Sequence, residues 1–582
     1  MSRAASPSLD FRNTNTLWGS VLVETLVRLG LRHAVISPGS RSAPLTFAFA
    51  RHPGVEAIPV LDERSAAFYA LGLAKQSGRP VALVCTSGTA AANFLPAVVE
   101  AHESGVPLLV LTADRPPELR DCHSGQSINQ QKLYGGFVNH FRDLPVPVAR
   151  VPALHRLKRE LMHAFRMTAR PMTGPVHLNC PFRDPLPPLP EKNRHDLGGE
   201  ELAGFFAGVV ADRPRVPSRK SRALAGDGII VVGPNEPASG RKFAGAVGRM
   251  SRSLGWPVLA DALSPLRMHG AAGGHVVVHY DTILRSARLA AELRPQQVIC
   301  VGGWPTSKVL REWLKAADPA VQLLTSRSDN MDGLNLRTAH VRGDPEVLCT
   351  RFRGTGRPGA FARRWHEVNR AAGKALELAL AKVTGLVEPA CVPLLAKNLP
   401  RDTALFVASS MPVRDLEYFW PAGAGRQRIK FNRGANGIDG TLSTALGVAH
   451  GDRRPAVLLT GDLALLHDTN GFLSVPKFKG SLTIVLINNN GGGIFEHLPV
   501  AQFDPPFEDF FATPQHIDFK NLCATYGVGH VGVRDWKHFA GLVAKLPARG
   551  VRVLEIRTDR KRDAAFRKKL FADTAAAMNL SA

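Results

Sequence analysis

Thr460-Gly461-Asp462 and, further on, Ile487-Asn488-Asn489-Asn490-Gly491-Gly492-Gly493 decide how this chain is read. An apolar run at 456–459 delivers an Asp just past its end, and a second at 482–487 delivers three Asn and three Gly. Short unbroken apolar runs of this kind read as strands of a parallel sheet covered on both faces. The 24 residues between Leu463 and Asn488 suffice for one crossover helix, so the two strand ends are expected to be neighbours. A carboxylate then stands beside amide oxygens and a glycine turn whose backbone a phosphate can approach. One carboxylate, one or two neutral oxygens and phosphate oxygens make the octahedral shell that Mg²⁺ prefers. Asp462, Asn489 and the carbonyl of Gly491 are therefore the expected ligands of a metal–diphosphate site. Gly-Asp or Asn-Gly alone reads as a turn; the paired strands, the spacing and the triple Asn carry the inference.

The same alternation of strand and helix runs outward through the chain. Apolar runs at 34–37, 81–85, 107–112 and 176–178 are separated by helical patterns such as 17–29 and 65–75. A second set lies at 228–232, 257–259, 297–301 and 321–324, and a third at 404–407, 428–431, 456–459, 482–487 and 551–556. Alternation of this kind predicts α/β architecture: three consecutive doubly wound parallel-sheet domains, at 1–190, 215–360 and 385–582. The stretch 185–224, rich in Pro, Arg, Lys, Gly and Asp, reads in part as a linker. Gly233-Pro234-Asn235 lacks the Gly-x-Gly-x-x-Gly dinucleotide fingerprint.

Bulk properties narrow the class. At 582 residues one hydrophobic core is too few, and 45% hydrophobic with 21% charged residues describes an ordinary globular chain. No apolar run reaches the ~18 residues of a membrane span, so no stable membrane insertion is expected. Seven scattered Cys and an N-terminal stretch without a signal-type apolar core fit a cytoplasmic protein. The formal net charge of +24 is compatible with nucleic acid or with small anionic substrates. Dispersed Arg and Lys, 7% aromatics and no nucleic-acid motif favour small anions and no nucleic-acid partner. The densest basic stretch, 557–569, reads as the solvated face of a C-terminal helix.

Gly461-Asp462 followed two dozen residues later by Asn488-Asn489 resembles the signature of the thiamine-diphosphate decarboxylase and carboligase superfamily. That resemblance implies an aminopyrimidine-binding first domain, a diphosphate-binding third domain, and Mg²⁺ with Mn²⁺ as an alternative. It also implies a carboxylate for the pyrimidine N1′. Glu63, in Leu61-Asp62-Glu63-Arg64, matches the family glutamate, whose short charge-assisted hydrogen bond favours the imino tautomer. The superfamily shares its sites between subunits, so a homodimer or homotetramer is expected.

Longer motifs are more specific. Ser37-Pro38-Gly39-Ser40-Arg41-Ser42, Thr112-Ala113-Asp114-Arg115-Pro116-Pro117, Asn432-Arg433-Gly434-Ala435-Asn436-Gly437-Ile438-Asp439-Gly440 and the run NNGGGIFEHLP at 489–499 closely resemble the 2-succinyl-5-enolpyruvyl-6-hydroxy-3-cyclohexene-1-carboxylate synthases of menaquinone biosynthesis. The resemblance implies decarboxylation of 2-oxoglutarate and 1,4-addition of the four-carbon remainder to isochorismate. Both substrates are dicarboxylates, and Arg binds carboxylate bidentately. By the match, Arg41, Arg115, Arg414 and Arg433 meet substrate, joined by Gln126, Ser410 and Lys308. Glu63, Gln126 and Arg433 would be catalytic. Ser410, Ile438, Asp462, Asn489, Gly491, Ile494 and Phe495 would meet the cofactor, with Ile494, Phe495 and Leu498 as a dry wall against the substrate. Two positions depart from common patterns. Val309 stands beside Lys308 where the family often has Arg, and Leu463 follows Asp462 where many pyruvate-type decarboxylases carry Gly. No vicinal His pair occurs in the first block, where His102 and His123 are isolated. The alternatives are another thiamine-diphosphate 2-oxo acid decarboxylase or carboligase, or a homologue that binds without turnover.

Overall fold

The computed structural model describes residues 9–191, 204–209, 222–224, 226–270, 276–354, 356–423 and 426–580. The chain forms two compact units. One comprises Met1–Pro214, Asn432–Arg453 and His467–Gly480; the other comprises Arg215–Phe431, Arg454–Leu466 and Ser481–Ala582.

The first unit is built on β1 (His33–Ile36), β2 (Glu56–Pro59), β3 (Val81–Cys85), β4 (Leu108–Asp114), β5 (His140–Asp143) and β6 (Val176–Pro181), in the order β2-β1-β3-β4-β6-β5. Every pairing is parallel. β3 and β4 are buried along their whole length, as strands covered on both faces must be. The helix Thr14–Leu29 is started by a reciprocal cap between Asn13 and Thr16 and ends at Gly30 in the left-handed region. Leu17, Val21, Leu22 and Leu26 of that helix enter a core shared with Ala34, Val84 and Leu111 of the sheet. Strand order reverses between β1 and β3, so the loops that follow them flank the crevice where ligands of such sheets bind.

The second unit carries two six-stranded parallel sheets. The first has β8 (Gly228–Val232), β9 (Val258–Ala260), β10 (Val276–Val277), β11 (Gln297–Val301), β12 (Ala320–Thr325) and β13 (Arg337–Arg342), in the order β10-β9-β8-β11-β12-β13. A short pair, β7 (Arg222–Ala223) with β14 (Phe352–Arg353), flanks it in sequence. The other has β15 (Ala404–Val407), β16 (Arg428–Phe431), β17 (Pro455–Gly461), β18 (Ser481–Asn488), β19 (Gly529–Gly532) and β20 (Gly550–Arg557), in the order β16-β15-β17-β18-β20-β19. Their reversal points differ in kind. Between β8 and β11 the turn is closed by backbone, for a Cβ on Gly233 would sit 1.8 Å from the Gly303 carbonyl oxygen. Between β15 and β17 the loops present Ser410 and Asp462 instead.

Two local expectations are corrected. The β17–β18 connection is not one crossover helix. It is the short helix Asp462–His467 followed by the 3₁₀ segment Thr469–Lys477, which contains Pro476 and lacks that amide donor. The basic stretch 557–569 does begin the helix Arg560–Leu580, yet its face is not uniformly solvated. Arg567 is only 2% exposed and is paired with Asp415 and Glu388, partners about 150 residues or more away in sequence. Of the linker at 185–224, the segments 192–203 and 210–221 lie outside the described residues. Its first residues are anchored, since Asn13 Nδ2 donates to the carbonyls of Pro187 and Leu189.

Candidate active site

In the first unit the site residues gather at the carboxyl ends of β1, β3 and β4. The turn after β1 lies so close to the one after β3 that a Cβ on Gly39 would be 2.2 Å from Thr86 Cβ. Arg41 follows this turn, is 9% exposed, and donates from Nη1 to the Phe182 carbonyl at 2.9 Å. Its buried Nε has no partner. Burial, and then the neighbouring Arg115, pull its pKa below the ordinary guanidinium value. Asp184 lies 3.9 Å from its Nη1, and a buried guanidinium with an open donor beside a second cation suits a further anion.

Arg115 follows β4 and converges with Gln126 on Ser87. Arg115 Nη1 donates to Ser87 Oγ at 2.7 Å and Nη2 to the Gly125 carbonyl at 2.6 Å. Ser87 Oγ donates to the Gln126 carbonyl at 3.0 Å, and Gln126 Nε2 donates to the Ser87 carbonyl at 3.2 Å. Gln126 holds φ 56°, an uncommon conformation for its type. Gly88 N donates to Gln130 Oε1 at 2.9 Å, and Gln130 also bonds Asn179, fixing this loop to the sheet. Ser87 and Gln130 have no signal in the sequence, because isolated polar residues in loops carry no pattern.

Glu63 opens the helix Glu63–Ser77, capped by Asp62, whose Oδ1 accepts from Ser65 N at 2.9 Å. Glu63 is half-buried, and its charge acts on Cys85 at the end of β3. Arg433 and Ile438 also belong to this unit. Both are half-buried on the loop 432–440, where the Ile438 carbonyl accepts from Thr441 Oγ1 at 2.7 Å.

The second unit brings together Asp462, Asn489 and Gly491, the three residues expected at a metal–diphosphate site. Asp462 is 4% exposed; its Oδ1 accepts from Leu463 N at 2.7 Å and its Oδ2 from Gly491 N at 2.8 Å. Burial pushes its pKa up to about 6, against the pull of these amides. Among the described residues no cation is paired with it. Asn489 is 7% exposed, and its buried Oδ1 has no partner. Gly491 has φ +136°, and a Cβ there would lie 2.4 Å from the Ala512 carbonyl oxygen, so only glycine fits. A buried carboxylate without a counter-charge and an orphaned amide oxygen are the donors that a diphosphate-bound divalent cation would satisfy. Among the described residues no cluster of three or more His, Cys, Asp or Glu offers an all-side-chain metal site. Arg560 braces the turn from behind, donating to the Asn490 carbonyl at 2.9 Å and to Glu496 at 3.0 Å.

Ser410 begins the helix Met411–Phe419 at φ 73°, ψ −132°. A non-glycine residue there stores roughly 1–3 kcal/mol, a strain typical of functional turns. Arg414 Nη1 donates to the Ser410 carbonyl at 2.6 Å, and burial lowers the Arg414 pKa. Ile494 and Phe495 are half-buried, with Phe495 edge-on to Phe511 at 5.8 Å, while Leu498 is 41% exposed. His497, between them, is pushed down to about 4 by burial and then by Arg567, Lys568, Arg285 and Arg414. That end of the unit carries a positive field. Lys308 stands apart from these contacts: 75% exposed, it pairs with Glu312 at 3.3 Å on its own helix.

The thiamine pyrophosphate enzyme family matches in three parts: its N-terminal TPP binding domain at residues 18–133, its middle domain at 218–407 and its C-terminal TPP binding domain at 415–556. A benzoylformate decarboxylase from Polynucleobacter necessarius shares the fold, with a TM-score of 0.67 at 15% identity over 93% of this chain and 98% of that one. Fold and site thus define a thiamine-diphosphate enzyme. Two relatives named 2-succinyl-5-enolpyruvyl-6-hydroxy-3-cyclohexene-1-carboxylate synthase are far more similar. The one from Trichodesmium erythraeum is 47% identical over 96% of this chain and 98% of its own length. The one from Microcystis aeruginosa is 50% identical over 95% and 98%. The chain belongs to this synthase family.

Proposed function

We propose that the protein decarboxylates 2-oxoglutarate and adds the remaining four-carbon unit to isochorismate in a 1,4 sense, a step of menaquinone or phylloquinone biosynthesis. The observation that carries the reading is that the chain holds two differently equipped strand-end sites, one in each unit. One is a buried carboxylate with an orphaned amide oxygen; the other is a buried, half-satisfied arginine beside a second arginine. Thiamine diphosphate, when bound, would supply a thiazolium able to serve as an electron sink for a 2-oxo acid. Asp462, Asn489 and the Gly491 carbonyl would hold its Mg²⁺ or Mn²⁺. Glu63 would hold a proton at the pyrimidine N1′.

Arg41, Arg115, Arg414 and Arg433 would take up the four carboxylates that the two substrates bring. Gln126 and Ser410 would orient the reacting carbons, and Ile494, Phe495 and Leu498 would exclude water. Lys308 would add a cation from the middle domain. We assign 1–190 to pyrimidine binding, 215–360 to a central domain and 385–582 to diphosphate binding. We infer a cytoplasmic homodimer or homotetramer with sites shared between subunits. Among the described residues no helix is long and apolar enough to cross a membrane. The test is to mix purified protein with thiamine diphosphate, Mg²⁺, a panel of 2-oxo acids and isochorismate, and to follow isochorismate absorbance. The proposal expects loss only with 2-oxoglutarate; loss with pyruvate or benzoylformate instead would assign a different 2-oxo acid donor, and no loss with any of them would overturn the proposal.

A further inference from the structure

Glu100 is a buried carboxylate that the proposed chemistry does not use. It lies within the helix Leu95–Ser104, on the same buried face as Ala97 and Ala101, and is 3% exposed. A carboxylate in such a place is costly unless it is fully hydrogen-bonded. Its partners come from the loop 432–440: Gly434 N donates to Oε1 at 3.0 Å and Ala435 N to Oε2 at 2.7 Å. Ser104 Oγ donates to Oε1 as well. Gly434 is pressed against the same helix, since a Cβ there would be 2.7 Å from Glu103 Cβ. The far end of the loop is seated on the helix that Glu63 opens. Gly440 has φ +61°, and a Cβ on it would fall 1.9 Å from the Phe68 ring. Between these two ties the loop borders a cavity of about 300 Å³ lined by Phe68, Leu95, Val99, Glu100, Asn432 and Asp439. Beside that cavity the carboxylate holds the stretch directly.

We infer that Glu100 is a positioning residue that fixes the Arg433 loop by grasping the two backbone amides after Arg433. The inference rests on the reading that Arg433 meets substrate. Glu100→Gln keeps the shape, retains one acceptor and turns an N–H toward an N–H. One charge-assisted bond lost corresponds to about tenfold or more. The first readout needs no cofactor: hydrogen exchange of the amides of 432–440 in the wild-type and Glu100→Gln proteins. The amides of Gly434 and Ala435 are expected to exchange about tenfold faster in the variant, with the helix 441–452 unchanged. The second is kinetic. Glu100→Gln is expected to raise KM for the substrate that Arg433→Ala also weakens, and the double variant is expected to be no worse than Arg433→Ala alone. Glu100→Asp, charged but too short, should fall between the wild type and Glu100→Gln. Unchanged exchange at 434 and 435, or kinetic losses that add, would overturn the inference. Faster exchange in a protein without synthase activity would leave the clamp standing and remove the proposed function.

Discussion

Arg567→Met tests how the second unit seats the helix that carries Arg414. Arg567 Nε donates to Asp415 at 2.8 Å, its Nη2 lies 2.8 Å from Glu388, and all three side chains are 2–4% exposed. Asp415 lies on the helix Met411–Phe419, one residue after Arg414 and five after the strained Ser410. Removing one partner of a buried ion cluster leaves charge uncompensated and costs about 3–5 kcal/mol. At about 2 °C per kcal/mol for a body of this size, the apparent melting temperature should fall by about 6–10 °C. The sign with pH follows from linkage. Burial already raises the Asp415 pKa above its ordinary value, and without the Arg567 charge it rises further. A raised folded-state pKa gives stability that is whole at low pH and lost as pH climbs through it. The deficit of the variant should therefore be smaller near about pH 5 than near about pH 8. Circular-dichroism melts of both proteins across that range measure it. A variant that melts within a degree of the parent, or a deficit that does not change with pH, would refute the reasoning.

Other predictions address the site itself. Gly491→Ala forces a Cβ onto the Ala512 carbonyl and displaces the amide that bonds Asp462; calorimetry should show thiamine diphosphate–Mg²⁺ affinity reduced about tenfold or more. Glu63→Gln should bind the cofactor with little change yet lose turnover by about a hundredfold or more, as read by single-turnover kinetics. Arg41→Ala should raise KM for a substrate dicarboxylate about tenfold or more while cofactor affinity stays within twofold, because Arg41 belongs to the other strand-end cluster.

The sequence made the interior strands readable and left the edges obscure. Val81–Cys85, Gly228–Val232 and Gln297–Val301 are unbroken apolar runs because both sheet faces are covered. Glu56–Pro59, His140–Asp143, Arg337–Arg342 and Gly529–Gly532 have no such run, and all four end their sheets. An edge strand is half solvated and keeps polar residues that look like loop. The Asp462–Asn489–Gly491 kit was legible because strand ends and spacing fix it locally. The triad at Arg567 and the grasp of Glu100 on Gly434 were not. Each joins residues more than 150 apart, and a lone Glu in a helix or an Arg in a basic run has no periodicity to mark it.

One measurement bears most directly on the proposed reaction: CO₂ release and isochorismate loss followed together in one vessel containing enzyme, thiamine diphosphate, Mg²⁺, 2-oxoglutarate and isochorismate. The account predicts equal amounts of each, with both abolished in Asp462→Ala. CO₂ released without isochorismate consumed would contradict it and leave a decarboxylase in place of a carboligase.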